Sequence, residues 1–199
     1  MKPIKIYLVR HGEVVNHKNI IYGYLPMRLS EKGKAQAKKA GMFLRKKNIS
    51  VIFSSPQKRT QETAKIIKKA ISKKSPKIII DRNLRESGFG QFMKGMTAEQ
   101  VAKKYPKIWQ TYWRKPATVK AGESLVQQAK RFLFAINKAV KKYPGQNLVF
   151  VSHRDPILAA LLKISKRSFN DLHQVKHLCD KGSILEVNVI GRRFVNKSF

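Results

Sequence analysis

Two histidines in this chain stand in matching local settings. Ile6-Tyr7-Leu8-Val9 runs straight into Arg10-His11-Gly12-Glu13, and Leu148-Val149-Phe150-Val151 runs into Ser152-His153-Arg154-Asp155. An imidazole beside a guanidinium suits attack on a phosphorylated substrate: histidine is a nucleophile, and arginine holds phosphate through paired, charge-assisted hydrogen bonds. A single Arg-His-Gly at a strand end equally describes two side chains facing water. Two histidines, each at an apolar exit beside an arginine, are much harder to dismiss. Arg59 opens a helical stretch and is a candidate second phosphate clamp, because a helix start also offers free backbone amides to an anion. Glu86 is one of only 11 acids, so its place at another strand-to-loop exit draws notice. Near a phosphate dianion its carboxyl would hold a proton to give to a leaving oxygen; the alternative is an ion pair with Arg82 or Arg85.

The elements that must deliver these groups follow from the pattern of apolar residues. Four short buried strands are expected at Ile6–Val9, Val51–Phe53, Ile78–Ile80 and Leu148–Val151, each leading into a polar turn, as in open α/β sheets that bind ligands at their carboxyl edge. Gly12 is expected to let the chain turn sharply and pass close to a ligand. Between the strands, helical stripes run from Ser30 to about Lys47 with Ser30 as N-cap, and from Pro56 through Ile71. Further helices are expected from Ser124 to Tyr143 and at Ile157–Leu162. Tail strands are expected near Val175–Leu178, Ser183–Val189 and Arg193–Val195. The result is a three-layer α/β/α sandwich with a mostly parallel central sheet and an antiparallel edge strand.

Two segments interrupt this alternation. Residues 12–30 form a long loop containing Asn16, His17 and Gly23, and loops of that length in compact domains are functional or mobile. Asn16 either donates its amide to a phosphate oxygen or serves as a turn residue. Residues 85–120 carry a Gly-rich aromatic loop and two short helices, Thr97–Lys104 and Lys107–Trp113. Their Trp109, Tyr112 and Trp113 suit a lid that sets substrate specificity better than a platform for stacking nucleic acid.

The 199 residues suffice for a single domain with a full core, and 42% apolar content excludes a disordered chain. One cysteine, Cys179, excludes an internal disulfide and suits a reducing cytoplasm. The apolar run at the N-terminus is too short for a signal-peptide core, and no stretch is long enough to span a membrane. The balance of 43 basic to 11 acidic residues, +32 overall, is unusual. Such a field attracts anions, nucleic acid and acidic membrane surfaces without naming one of them. The lysines come in twos and threes on expected helices, as solvated faces do. Zinc-finger spacing, an RNA-binding aromatic signature and a continuous basic tail are absent.

Taken together, these stretches resemble the histidine phosphatase superfamily, also called phosphoglycerate-mutase-like. The resemblance covers residues 4 to about 163. It rests on Leu8-Val9-Arg10-His11-Gly12-Glu13, Leu29-Ser30-Glu31-Lys32-Gly33 and Ser54-Ser55-Pro56-Gln57-Lys58-Arg59-Thr60. It continues through Leu84-Arg85-Glu86 with Phe89-Gly90, Gly122-Glu123-Ser124 and Ser152-His153. It implies that His11 becomes phosphohistidine, that Arg10, Arg59 and His153 form the phosphate pocket, and that Glu86 is the proton donor. Asn16, Gly23 and Arg154 are the further candidate substrate contacts. The chain departs from the family pattern in several places, among them a stretch from Glu86 to Gly95 one residue longer than usual. The loop asparagine more often stands where His17 is. Gly is common where Arg154 is, so Arg154 either adds a substrate contact or faces out. The mutase branch carries tyrosine where Phe89 is, and a longer insertion with an arginine pair.

The expectation is therefore a cytoplasmic phosphomonoester hydrolase needing no metal or other cofactor, acting on a small phosphorylated metabolite as monomer or homodimer. The alternatives are mutase-type phosphoryl transfer, or a basic scaffold that binds nucleic acid or an acidic surface.

Overall fold

The computed structural model describes residues 3–71, 76–88, 93–190 and 193–195. Its single sheet has the order β3-β2-β4-β1-β5-β6. The parallel strands are β1 (Ile4–Arg10), β2 (Ile49–Ser54), β3 (Lys77–Ile80) and β4 (Asn147–Ser152). β5 (Ile184–Ile190) runs antiparallel to β1, and the two-residue β6 (Arg193–Phe194) pairs with β5 at the edge.

Alternation along the strands sorts side chains between two helical layers. Tyr7, Val9, Val149 and Val151 point to one face, where they pack with Ala40 and Leu44 of α1 (Glu31–Leu44) and Ala64 and Ile67 of α2 (Lys58–Ile71). Ile6, Leu8, Leu148 and Phe150 point to the other, against Phe132 and Ile136 of α5 (Leu125–Lys142) and Ile157 and Leu161 of α6 (Arg154–Ile164). The α/β/α sandwich is thus the one expected, with the core on both faces of the sheet. Ser30 caps α1 by accepting from the Gly33 amide, and Ser124 caps α5 in a reciprocal capping box with Gln127. No helix among the described residues is long and apolar enough to cross a membrane.

The structure corrects two local expectations and adds a packing reason for Gly12. Val175–Leu178 is not a strand: the chain makes 3-10 turns at Phe169–His173 and Lys176–Cys179. Leu172, Val175 and Cys179 are the buried positions there. Their spacing of three and four is helical, and the apolar content hid that period. α6 begins at Arg154 rather than Ile157, with His153 as its N-cap residue. Gly12 does not adopt a left-handed backbone. It is required because its backbone lies against that of Gly33, where a Cβ on either glycine would collide with the neighbouring carbonyl.

The two interrupting segments pack against each other. Loop 12–30 is closed at its base by the Val14–Leu29 bridge and the Val15 amide on Arg28 O, 3.0 Å. Its tip is stitched to the 85–120 segment by the Ile20–Thr97 bridge and the Ile21 amide on Met96 O, 2.8 Å. That segment carries α3 (Ala98–Lys104) and α4 (Pro106–Arg114), which build a small apolar cluster of their own around Met93 and Val101.

Candidate active site

The register of the two central strands sets the site. Arg10 pairs with Ser152 across β1 and β4, so the next residue in each strand, His11 and His153, must also be neighbours. The His11 amide donates to Ser152 O at 3.0 Å, and the two imidazole centroids lie 5.3 Å apart. Both rings are sealed, at 1% and 0% exposure.

Arg59, on the first turn of α2, is fully buried and joins the group. Its Nε donates to His11 Nε2 at 3.2 Å, and its Nη2 lies 3.1 Å from His153 Nδ1 and 3.2 Å from Glu86 Oε2. Two carbonyls of the long loop fix the guanidinium, Gly23 O at 2.8 Å and Leu25 O at 3.4 Å, while the Tyr22 ring lies 4.8 Å below it. Gly23, with a left-handed φ of 41°, thus acts on Arg59 through its carbonyl.

Hydrogen bonds assign the proton on each ring. His11 Nδ1 faces Gly12 O at 2.7 Å, and a carbonyl only accepts, so Nδ1 carries the hydrogen and Nε2 keeps its lone pair. His153 Nε2 faces Ser55 Oγ at 2.8 Å and Gln57 Oε1 at 3.1 Å, so Nε2 is the donor and Nδ1 is bare. Burial, then the Arg59 charge, holds both imidazoles well below the ordinary histidine range. Burial pushes the Glu86 carboxyl up, against the pull of Arg59. A protonated Glu86 also suits its contact with the bare His153 Nδ1, 3.3 Å from Oε2, where an ionised carboxylate would set two acceptors face to face.

Glu86 is held from behind. Arg131 of α5 grips Glu123 with Nε at 2.6 Å and Nη2 at 2.8 Å, and spends its remaining donors on the carbonyls of Asn83, Arg85 and Glu86. Ser152 Oγ donates to Leu84 O at 2.7 Å on the same segment. Arg85 itself pairs with Glu123 at 3.0 Å, and among the described residues Glu86 pairs with Arg59 and His153 rather than with Arg82 or Arg85. Arg131 and Tyr22 escape sequence reasoning, the first because an arginine in a lysine-rich amphipathic helix looks solvated, the second because it sits in a loop without period.

Arg10 and Glu86 line a cavity of about 310 Å³. His11, Arg59 and His153 are not on its wall; Arg59 bonds to both rings and covers His11 Nε2. Arg10 Nη1 donates to Cys179 O at 2.8 Å, while its Nε is buried without a partner among the described residues. Arg154 reaches the cavity wall, held by Asp155 at 2.9 Å and the Tyr112 hydroxyl at 2.9 Å. Asn16 is not brought in as a free donor: its amide is spent on both backbone groups of Ile20, at 3.0 and 3.1 Å, as a turn residue's would be. His17 is exposed. Phe89 lies outside the described residues.

His11, Glu86 and His153 are also a possible metal-ligand trio among the described residues, with donor atoms within 4.8 Å of one another. The Arg59 guanidinium already contacts all three, and a metal cation there would have to displace it. The Cys179 thiol is buried and pushed up to about 12, so it is an inert core group.

The chain matches the model of the histidine phosphatase superfamily, branch 1, over residues 6–199. It is 33% identical to phosphoserine phosphatase 1 of Hydrogenobacter thermophilus, over 94% of this chain and 92% of that protein. A 2,3-bisphosphoglycerate-dependent phosphoglycerate mutase 2 of Gloeobacter violaceus is 28% identical over 86% of this chain and 80% of its own length. Among solved structures, Bacillus stearothermophilus YhfR superposes with a TM-score of 0.86 at 24% identity, covering 96% of this chain and 94% of that one, a likeness of fold. With two buried imidazoles meeting at adjacent strand ends and a family model spanning nearly every residue, the chain belongs to the histidine phosphatase superfamily, branch 1, and is a phosphatase.

Proposed function

We propose that the protein hydrolyses small phosphomonoesters through a phosphohistidine on His11, without a metal ion. One observation carries this reading: His11 Nε2 is unprotonated, accepts from Arg59 at 3.2 Å, and sits beside a second neutral imidazole and a carboxyl pushed toward its protonated form. The phosphate dianion takes over the donors that Arg59 now gives to the two rings and finds the buried Nε of Arg10, which has no partner among the described residues. Two guanidiniums match its charge, as phosphoryl transfer requires.

His11 Nε2 attacks phosphorus, the ester P–O bond breaks, and Glu86 gives its proton to the leaving alkoxide. Glu86, now a carboxylate, takes a proton from water as that water attacks the phosphohistidine. Inorganic phosphate leaves and His11 is regenerated. Hydrolysis is favoured over mutase transfer because the far wall of the cavity is largely aromatic and, among the described residues, presents a single arginine there, Arg154, already paired with Asp155.

Turnover of p-nitrophenyl phosphate in the presence of EDTA, by wild type and His11→Ala, tests the reading. EDTA-insensitive activity that His11→Ala abolishes is expected. Activity that EDTA removes, or that survives in His11→Ala, would contradict it.

A further inference from the structure

The proposed reaction leaves open what lies beyond the phosphate, and the far end of the cavity answers in chemical terms. Away from the groups that meet the phosphate, Ile21, Met93, Trp109, Tyr112 and Trp113 form the apolar part of its wall, and Ser87, Arg154 and Asp155 are its polar members. The aromatic rings are fixed. Tyr112 stacks on Trp109 at 6.2 Å and meets Trp113 edge-on at 5.5 Å. The His173 ring closes on both, 4.8 Å from Tyr112 and 4.4 Å from Trp113, and its Nε2 donates to Tyr112 O at 2.8 Å.

The charges at this end cancel. Arg154 and Asp155 hold each other at 2.9 Å, and the Tyr112 hydroxyl accepts from Arg154 and donates to Asp155 Oδ2 at 3.1 Å. A closed triangle of this kind spends its polarity internally. A second phosphate or a carboxylate would meet a guanidinium already neutralised by a buried carboxylate.

We propose that this wall selects phosphomonoesters whose alcohol carries an apolar or aromatic body, over small zwitterionic or doubly anionic esters such as phosphoserine or phosphoglycerate. The inference rests on the hydrolytic reading of the same site. It adds the class of leaving group, with Trp109 as the specificity-determining residue and Arg154 as the positioning residue that fixes Tyr112.

Two esters whose alcohols are of similar acidity separate binding from intrinsic reactivity. 2-Phenylethyl phosphate and ethyl phosphate are compared in kcat/KM, with O-phosphoserine beside them, and their phosphonates are compared by calorimetry. Burying the phenyl ring is expected to favour the phenylethyl compound by about tenfold or more in both measurements. Trp109→Ala should bring the ratio close to one, and Trp109→Phe should keep most of it. A wild-type ratio near one, or a preference for O-phosphoserine over both esters, would overturn the inference. Tighter binding of phenylethylphosphonate with no ester turned over would leave the wall standing and remove the hydrolytic reading instead.

Discussion

At the residue scale, each role follows from which nitrogen or oxygen holds a proton. Burial and Arg59 hold His11 toward its neutral form, and its unprotonated nitrogen is Nε2, which accepts from Arg59. Lowering the pH should therefore disable His11, the proposed nucleophile, only well below the ordinary histidine range. Glu86 works in the opposite sense: as the acid it must be protonated, so kcat on alkyl esters is expected to fall as pH rises through its raised value. Glu86→Gln should remove that alkaline limb and lower kcat on an alkyl phosphate by about 100-fold or more, with a smaller loss on p-nitrophenyl phosphate, whose leaving group needs no proton. A pH–kcat profile on both substrates checks this; an unchanged alkaline limb in Glu86→Gln would place the acid elsewhere. Arg59→Ala removes the donor shared by both rings and is expected to cost on the order of 100- to 1,000-fold in kcat/KM.

At the scale of elements, two parallel strands in register bring the histidines together, and this much is legible in the chain. An apolar run ending in a histidine beside an arginine appears twice, and parallel neighbours end at the same edge. Arg59 and Glu86 are legible for the same reason, each following a strand. The supports are not. Arg131 becomes visible only once α5 is docked, because its partners are Glu123 and three carbonyls more than 40 residues away in sequence. Tyr22 and Gly23 hold Arg59 from a loop whose path depends on stitching to residues 95–97. The 3-10 turns of the tail are not legible because Leu172, Val175 and Cys179 span too short a stretch for apolar content to reveal a helical period. Breaking the Arg131–Glu123 pair should release the segment before Glu86. Arg131→Met is expected to cost about 1–3 kcal/mol of stability, because the carbonyls of Asn83, Arg85 and Glu86 lose a donor and Glu123 is left with Arg85 alone. It should also lower kcat on alkyl esters more than on p-nitrophenyl phosphate. Denaturant unfolding and the ratio of the two rates test both parts, and equal losses on the two substrates would show that Arg131 does not act through Glu86.

At the scale of the molecule, charge and burial set the response to salt and acid. Several of the few acids have assigned tasks: Asp81 caps a turn, Glu123 and Asp155 hold arginines, and Glu62 accepts from the Leu29 amide. Most lysines are left unneutralised, in a net field of +32. Such a field draws in anionic substrates, so kcat/KM should fall several-fold between about 0.05 and 0.5 M salt with kcat much less affected. Stability should fall with acid from near pH 6.5, because unfolded His11 and His153 take up protons there and the folded rings resist until well below it. Above that pH their contribution is constant. Glu86 contributes with the other sign, adding stability at low pH that is lost as pH rises through its folded value. A thermal melt across pH 4–8 reads the balance. The central claim is a covalent bond from phosphorus to one nitrogen, and the most direct test is the intact mass of the protein quenched during turnover under conditions that preserve phosphohistidine. One added phosphoryl group is expected in wild type, mapped to His11 and absent from His11→Ala. An unmodified wild-type chain throughout turnover, or a phosphoryl group that persists in His11→Ala, would contradict the account.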